Sequence, residues 1–274
     1  MGAISVLFFL SIPWLTAAVV PHEWTYCKNK CGNVDIPYPF GIEPQCVMDD
    51  TFGVTCNDTT NPPRPFLNSS GMELLQVSLT SGSIRVNNPV FSSNCSNMTR
   101  AAAVTLSSTN PFVLSNNSNR FIALGCDTYA NLLDMAGSVL TGCLSMCGAS
   151  NVSDCFGINC CQTTIPPGIR SFEANVSTIF DRNDGNRCKA AFMVEQDWFY
   201  SGTKSRDDML RMEYVPAVLQ WGTCQGRCDI SKVSDFVKCS YGGYCWHQLS
   251  PSHHCICTGC NPQGNLLGLI VVFI

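Results

Sequence analysis

The stretch CKNKCGNVDIPYPFGIEPQC, residues 27–46, brings three cysteines and three prolines together in a short segment. Proline fixes φ near −65° and pushes the residue before it toward extended geometry. Residues 36–40 are therefore predicted to be extended, and Gly41 is expected to let the chain turn. In this arrangement Phe40 fills a core, whereas Tyr38, which has a polar tip, lies at the surface. The stretch predicts an edge ribbon fastened by sulfur at both ends.

The chain opens on an apolar run, AISVLFFLSIPWL at residues 3–15, followed by the small residues Thr16, Ala17 and Ala18. This pattern predicts a secretory signal peptide at 1–18, although no Lys or Arg precedes the run. A core helix is the alternative. Secretion implies that the 19 cysteines form disulfides, at most nine bridges with one sulfur left over.

The pairing of these cysteines does not follow from their spacing. Adjacent cysteines rarely pair with each other, so Cys160 and Cys161 are expected to have two different partners. The predicted disulfide framework comprises Cys27, Cys31, Cys46, Cys56, Cys95, Cys126, Cys143, Cys147, Cys155, Cys160, Cys161, Cys188, Cys228, Cys239, Cys245 and Cys255. The predicted N-glycosylation sites are Asn57, Asn68, Asn94, Asn97, Asn116, Asn151 and Asn175.

Short strand patterns separated by turn residues dominate the middle of the chain. Residues 74–79 and 84–86 flank Ser-Gly-Ser at 81–83, which is typical of a hairpin. Further strands are predicted at 102–106, 120–124, 190–194 and 214–215. The segment from Cys126 to Met146 fits this pattern less well and is interpreted as a place for a short helix. The main body is therefore predicted to be mostly β.

Several sequence blocks resemble one family in the order in which they occur. They are Cys27-x3-Cys31-Gly32, Ile36-Pro37-Tyr38-Pro39-Phe40-Gly41, Phe52 to Cys56, Asn119 to Cys126, Gly157-x2-Cys160-Cys161-Gln162 and Val215 to Trp221. The chain is similar to the ectodomain of plant wall-associated receptor kinases, which begins with a galacturonan-binding domain. The resemblance implies a non-enzymatic protein of the plant cell surface that binds pectin, mainly homogalacturonan. In the family a membrane span and a kinase follow, and these residues carry none of the kinase motifs.

The blocks predict the domain organisation. A galacturonan-binding domain is expected at 27–130, a cysteine-rich wall-associated-kinase C-terminal-type domain at 131–222, an EGF-like module at 224–260 and an apolar tail at 261–274. The predicted fold is mostly β and disulfide-rich, with two small β-rich domains followed by a truncated EGF-like module. The pattern Cys228-x10-Cys239-x5-Cys245-x9-Cys255-x-Cys257 supplies five of the six EGF cysteines, and Cys260 comes too soon to be the sixth. His247 stands where a calcium-binding module has Asn or Asp, so no calcium site is expected there.

A galacturonan is a polyanion with sugar ring faces, so its binding calls for basic and aromatic side chains. The candidate ligand-binding residues are Lys28, Lys30, Tyr38 and Arg85, two of which flank the opening motif. Residues 27–130 hold six basic and seven acidic side chains, so the net charge of this segment does not by itself indicate that it binds a polyanion. A second way to bind the polymer is a calcium ion that bridges the pectin carboxylates and the carboxylate of Asp49 or Asp50.

Metal and catalytic chemistry have little support in the sequence. His253, His254 and the cysteines at 255, 257 and 260 have a zinc-like spacing, but in a secreted chain these sulfurs favour disulfides. The remaining histidines, His22 and His247, stand in no catalytic motif, and the acidic pair at 207–208 is interpreted as a charged turn. No metal, cofactor or enzymatic activity is expected.

The last nine residues, 266–274, are apolar. As a helix they cover about 14 Å, against about 30 Å for the hydrocarbon core, so no autonomous membrane span is expected. The protein is predicted to be secreted to the extracellular space or cell wall, or membrane-associated if the tail is part of a longer span. Its expected partner is pectic polysaccharide and, as an open alternative, a membrane receptor; nucleic acid is not expected. The alternative function is that of a decoy or protein-interaction ectodomain without carbohydrate affinity.

Overall fold

The computed structural model describes residues 27–95, 103–106, 111–148, 155–179 and 187–221, together with the backbone of three short strands beyond them. The predicted signal peptide and apolar tail lie outside the described residues, as do Asn97 and Asn151. No helix in the described part of the chain has the length and apolar character that crossing a membrane requires.

Strands make up most of the regular structure. They are β1 (Lys30–Cys31), β2 (Val34–Asp35), β3 (Val54–Asn57), β4 (Arg64–Leu67), β5 (Leu74–Ser78), β6 (Ser83–Pro89), β7 (Phe91–Ser93), β8 (Val104–Thr105), β9 (Val113–Leu114), β10 (Asn119–Leu124), β11 (Thr128–Leu133), β12 (Val139–Ser145), β13 (Cys160–Thr163), β14 (Ser171–Thr178), β15 (Lys189–Glu195), β16 (Tyr214–Gln220), β17 (Phe236–Lys238), β18 (Tyr244–His247) and β19 (Cys255–Cys257). Among the described residues, the helices are α1 (Gln196–Tyr200) and α2 (Arg206–Met209), and 3-10 turns cover Pro44–Cys46 and Asp50–Phe52.

The main body is built from three four-stranded sheets. Their strand orders are β13-β10-β15-β7, β12-β11-β14-β8 and β5-β6-β16-β9, and the pairs are antiparallel. Two-stranded ribbons form from β1-β2 and β3-β4, and β17-β18-β19 form a separate small sheet. The prediction of a mostly β, disulfide-rich fold is confirmed.

The sheet β13-β10-β15-β7 is covered on both faces. Phe121 and Met193 point into the large core, whereas Ile122 and Phe192, one residue along each strand, point into a second cluster. That second cluster also includes Phe199 of α1. Because successive strand residues face opposite sides, burial on both sides explains the unbroken apolar run of β15.

Strands from both sides of residue 130 share these sheets. β10 pairs with β15 over six residues, and β6 pairs with β16 over seven. Asn88 and Asn119 are buried and donate side-chain hydrogen bonds to the backbone oxygens of Met193 (2.9 Å) and Val218 (2.7 Å), which ties early strands to late ones. Residues 27–130 and 131–222 thus share sheets and a core. Their predicted division into two domains stays a prediction.

The opening ribbon contributes Phe40 to a buried aromatic cluster. Phe40 packs against Phe52, Phe112 and Trp221 with ring centroids 5.2–6.0 Å apart. All four side chains are almost fully buried. The expectation that Phe40 fills a core is confirmed, and the ribbon fastens the start of the described chain to the end of β16.

The geometry of the opening ribbon differs from the prediction. The extended run expected over residues 36–40 is wrong from Pro37 onward, because the Phe40 N–H donates to the Pro37 carbonyl (3.0 Å) and closes a turn. The Tyr38–Pro39 peptide bond in this turn is cis, a geometry open to proline at that position. Tyr38 is half-buried rather than fully at the surface.

The helix expected between Cys126 and Met146 is also wrong. This segment is the β11–β12 hairpin, closed by Asp134, whose Oδ1 accepts from the backbone N–H of Ala136 (2.9 Å) and Ser138 (2.8 Å). Thr128, Ala130 and Leu132 are buried while the residues between them are not, which is the period of a strand. The predicted strands at 74–79, 84–86, 120–124, 190–194 and 214–215 are confirmed.

Six disulfides are formed among the described residues. They are Cys27–Cys46, Cys31–Cys56, Cys95–Cys188, Cys126–Cys147, Cys143–Cys161 and Cys155–Cys160. The prediction that Cys160 and Cys161 have different partners is confirmed. The side chains of Cys228, Cys239, Cys245 and Cys255 lie outside the described part, so the EGF-like module stays a prediction.

Candidate functional site

A cleft of about 480 Å³ opens on the main body where β4, β6, β8 and the start of β16 meet. We call it the Arg64 cleft. Its lining includes Arg64, Phe66, Glu73, Asn87, Glu213 and Tyr214. β4 carries Arg64 and Phe66 on residues two apart, so both project from the same face of the strand.

An ion pair organises this cleft. The Arg64 Nε donates to Glu73 Oε1 (2.5 Å), and its Nη2 donates to Oε2, which gives a bidentate pair. Asn87 Nδ2 donates to the same Oε2. The Glu73 side chain is 11% exposed, whereas that of Arg64 is 47% exposed, so the carboxylate is sheltered and the guanidinium reaches solvent.

The electrostatics follow from this contact. The hydrogen bond from Arg64 is the largest influence and lowers the pKa of Glu73, with the Asn87 donor acting in the same direction and burial opposing it. Glu73 in turn raises the pKa of Arg64. The guanidinium carbon also lies 5.7 Å from the centroid of the Phe66 ring.

The composition of the cleft suits a sugar. Tyr214 is 50% exposed and offers a ring face, while Asn87 and the ion pair offer donors and acceptors for hydroxyl groups. Among the described residues that line the cleft, Arg64 is the one cation, and Glu73 and Glu213 are the two anions. This described lining is therefore slightly negative, which favours neutral or esterified sugar units over free carboxylates.

The ligand-binding residues predicted from the sequence lie elsewhere. Lys30 pairs with Asp35 across the β1–β2 ribbon at 3.4 Å, and both side chains are largely exposed. Arg85 pairs with Glu195 at 2.5 Å. Lys28 is exposed, and its backbone N–H donates to Glu43 Oε2 (3.1 Å). These three residues and the half-buried Tyr38 do not line the Arg64 cleft, and their role in binding stays a prediction.

The aspartates predicted as a calcium route are both exposed at a 3-10 turn. Asp49 caps this turn, and its Oδ1 accepts from the backbone N–H of Thr51 (2.9 Å) and from the Thr51 hydroxyl (2.5 Å). One of its oxygens is thus already used by the turn. Calcium binding there stays a prediction.

Sequence reasoning missed the cleft residues for a definite reason. Arg64 and Glu73 lie nine residues apart on β4 and just before β5, and only the pairing of strands brings Asn87 and Tyr214 beside them. One signal was available, since an arginine and an aromatic residue at positions i and i+2 of a strand share one face.

Comparisons with known proteins identify two family matches and several related sequences. A family model described as wall-associated receptor kinase galacturonan-binding matches residues 27–88, and a model described as wall-associated kinase matches residues 152–226. Wall-associated receptor kinase-like 10 of Arabidopsis thaliana is 27% identical over 236 residues, which is 71% of this chain and 30% of that protein. Wall-associated receptor kinase-like 5 of the same plant is 30% identical over 221 residues, or 72% of this chain and 30% of that protein.

The chain spans about 30% of the length of these curated relatives. No solved structure matches it. The two domain matches and the curated relatives point to one family. Residues 27–88 and 152–226 are therefore identified as the galacturonan-binding and wall-associated kinase domains of the wall-associated receptor kinase family.

Proposed function

We propose that this protein is an extracellular, non-enzymatic, receptor-like ectodomain that binds pectic polysaccharide, above all homogalacturonan. The observation that carries the proposal is an overlap: the galacturonan-binding match at 27–88 contains Arg64, Phe66, Glu73 and Asn87, which line the Arg64 cleft. The sequons and disulfides are consistent with the secreted or wall-bound location that the proposal requires.

The cleft supports a specific form of the ligand. A ring face at Tyr214 and hydrogen-bonding groups around Glu73 fit the faces and hydroxyls of galactose-type rings. The excess of one negative charge in the described lining opposes free uronate carboxylates, so the Arg64 cleft is proposed to hold methyl-esterified units of the polymer.

The experiment compares binding of the secreted protein to homogalacturonan of high and low esterification, with and without a calcium chelator. Tyr214→Ala is expected to weaken binding to the esterified polymer about tenfold, equivalent to about 1.4 kcal/mol. Tyr129→Ala is the matched control, because Tyr129 is similarly exposed on β11, outside the cleft. The chelator arm tests the calcium route through Asp49 and Asp50.

One result would overturn the proposed function, and another would overturn its assignment to the Arg64 cleft. A folded protein that binds neither polymer supports the alternative of a decoy or protein-interaction ectodomain, with a membrane receptor as its partner. Equal weakening by Tyr214→Ala and Tyr129→Ala would remove the Arg64 cleft as the binding site.

A further inference from the structure

A second groove, of about 310 Å³, lies on the helix-covered side of the sheet β13-β10-β15-β7. We call it the Arg120 groove. Its lining includes Arg120 of β10, Gln162 and Thr163 of β13, Gln196 and Tyr200 of α1, and Phe156. It shares no lining residue with the Arg64 cleft.

Two aromatic rings border this groove. Phe156 is 78% exposed, the highest exposure recorded among the large apolar side chains of the described residues. Its loop is closed by the buried Cys155–Cys160 bridge and by a hydrogen bond from the Gly157 N–H to the Cys160 carbonyl (2.7 Å). An exposed ring on a braced loop is presented to solvent by the fold, since the short bridge leaves the loop few ways to bury it.

The second ring belongs to α1. Tyr200 is 46% exposed and packs edge-on against Phe199, with centroids 5.2 Å apart. Phe199 is itself buried in the second hydrophobic cluster and so anchors this end of the helix. Two rings from separate elements are thus held beside one groove, and aromatic faces are the surfaces on which sugar rings stack.

The charge of the groove differs from that of the Arg64 cleft. Among the described residues that line the groove, Arg120 is the one with a charged side chain. Its Nη1 donates to the backbone carbonyls of Asn119 (2.9 Å) and Asn116 (3.5 Å), which orient the guanidinium without neutralising it. Within the described residues no carboxylate forms an ion pair with Arg120, in contrast to Arg64 and Arg85. The described lining of the groove therefore carries one positive charge that no ion pair offsets.

We infer that the Arg120 groove is a second saccharide subsite, and that it takes a hexuronate with a free carboxylate. The carboxylate pairs with the Arg120 guanidinium, sugar rings lie against Phe156 and Tyr200, and the amides of Gln162 and Gln196 bind hydroxyl groups. That the ligand is a pectic polymer rests on the proposed function. The location of the subsite and its preference for a free carboxylate rest on the residues that line the Arg120 groove. The two sites then divide one polymer between them, the Arg64 cleft taking esterified units and the Arg120 groove taking free acid units.

The test measures affinity of the full secreted chain for three probes: α-1,4-linked trigalacturonate, its methyl ester, and neutral α-1,4-galactotriose. Phe156→Ser is expected to weaken trigalacturonate binding about tenfold. Met135→Ser is the matched control, because Met135 is an apolar side chain 58% exposed in the β11–β12 turn. Unchanged thermal melting of both variants establishes that they fold.

Substitutions of Arg120 separate charge from structure. Arg120→Gln is expected to remove the preference for trigalacturonate over galactotriose, and Arg120→Lys to retain most of it. A ratio of affinities is the readout, since a general loss of structure lowers both affinities together.

The outcomes distinguish the two proposals. Unchanged trigalacturonate binding in Phe156→Ser, with binding of the methyl ester weakened in Tyr214→Ala, overturns the second subsite and leaves the proposed function standing. Weakened trigalacturonate binding in Phe156→Ser, with unchanged binding of the methyl ester in Tyr214→Ala, supports the second subsite and excludes the Arg64 cleft as a binding site. Retention of the acid preference in Arg120→Gln overturns the assignment of the carboxylate to Arg120.

Discussion

Glu73 accepts hydrogen bonds from Arg64 and Asn87, and the pKa of its carboxyl is lowered mainly by Arg64. A carboxyl whose pKa falls on folding stabilises the fold above its unfolded value, about 4.3, and this stabilisation is lost as pH falls through the folded value. Glu73→Gln is therefore expected to lower the free energy of unfolding by about 1–2 kcal/mol at pH 7. As pH falls below about 4.3 the difference from wild type should shrink, because the unfolded chain then binds a proton that the native carboxyl, with its lowered pKa, still resists. Urea unfolding at pH 7 and pH 3.5 measures both.

The matched control for Glu73 is Asp35→Asn. Asp35 also pairs with a basic residue, Lys30, but its side chain is 80% exposed and that of Lys30 is 54% exposed. Exposed pairs contribute little because solvent screens them, so a change below about 0.5 kcal/mol is expected. A Glu73→Gln deficit as large at pH 3.5 as at pH 7 would contradict the role assigned to the ionised pair.

Charge can be read from a sequence, but the partner of a charge often cannot. Lys30 and Arg85 are indicated as ligand contacts by their charge, and the fold places Asp35 beside the first and Glu195 beside the second. Glu195 lies 110 residues from Arg85, at the end of a strand in another sheet. The candidate ligand class was therefore within reach of sequence reasoning, whereas the lining of the two sites depends on sheet pairing and was not.

A strand can be predicted from the sequence when one of its faces is apolar and buried and the other is polar and exposed. In β6 the residues at 84, 86 and 88 are buried and those between them are not, so alternation identifies the strand. β11 and β12 were missed because apolar side chains also occupy their exposed face. Tyr129 and Leu144 pair across that face and are 43% and 46% exposed, which hides the period of two.

The β1–β2 ribbon depends on one glycine. Gly32 has φ of +57°, and a Cβ built there would lie 2.1 Å from the Pro63 carbonyl oxygen. Gly32→Ala therefore combines a left-handed backbone, which costs an L-residue about 1–2 kcal/mol, with a steric overlap that adds about 1–3 kcal/mol. Chemical unfolding of the secreted variant measures the sum.

A second glycine separates these two costs. Gly137, in the β11–β12 turn, has φ of +82° and no atom within 4 Å of an added Cβ. Gly137→Ala is therefore expected to show the backbone cost alone. Equal destabilisation by the two substitutions would show that the approach to Pro63 contributes nothing.

At the scale of the whole molecule, contacts between distant segments hold the β body together. Phe40 of the opening ribbon contacts Trp221 at the end of β16, and Asn119 accepts from the Val218 N–H (2.9 Å) while donating to its carbonyl. Much of the stability therefore depends on closing long loops, and loop closure is unfavourable in the unfolded chain. A covalent link across such a loop should contribute more than a link within a short one.

The disulfides give a direct test of this argument. Cys95–Cys188 closes a separation of 93 residues between β7 and the start of β15, whereas Cys27–Cys46 closes 19 residues within the opening ribbon. The chain-entropy relation gives about 4.7 kcal/mol for the first and about 3.2 kcal/mol for the second. Cys95→Ser/Cys188→Ser is thus expected to lower the free energy of unfolding by about 1–1.5 kcal/mol more than Cys27→Ser/Cys46→Ser, as measured by urea unfolding of the two secreted double variants. Each pair has at least one half-exposed cysteine, which limits the contribution of cavities to the difference. A larger loss for the short bridge would mean that local packing of the ribbon, rather than closure of the long loop, dominates the stability of the molecule.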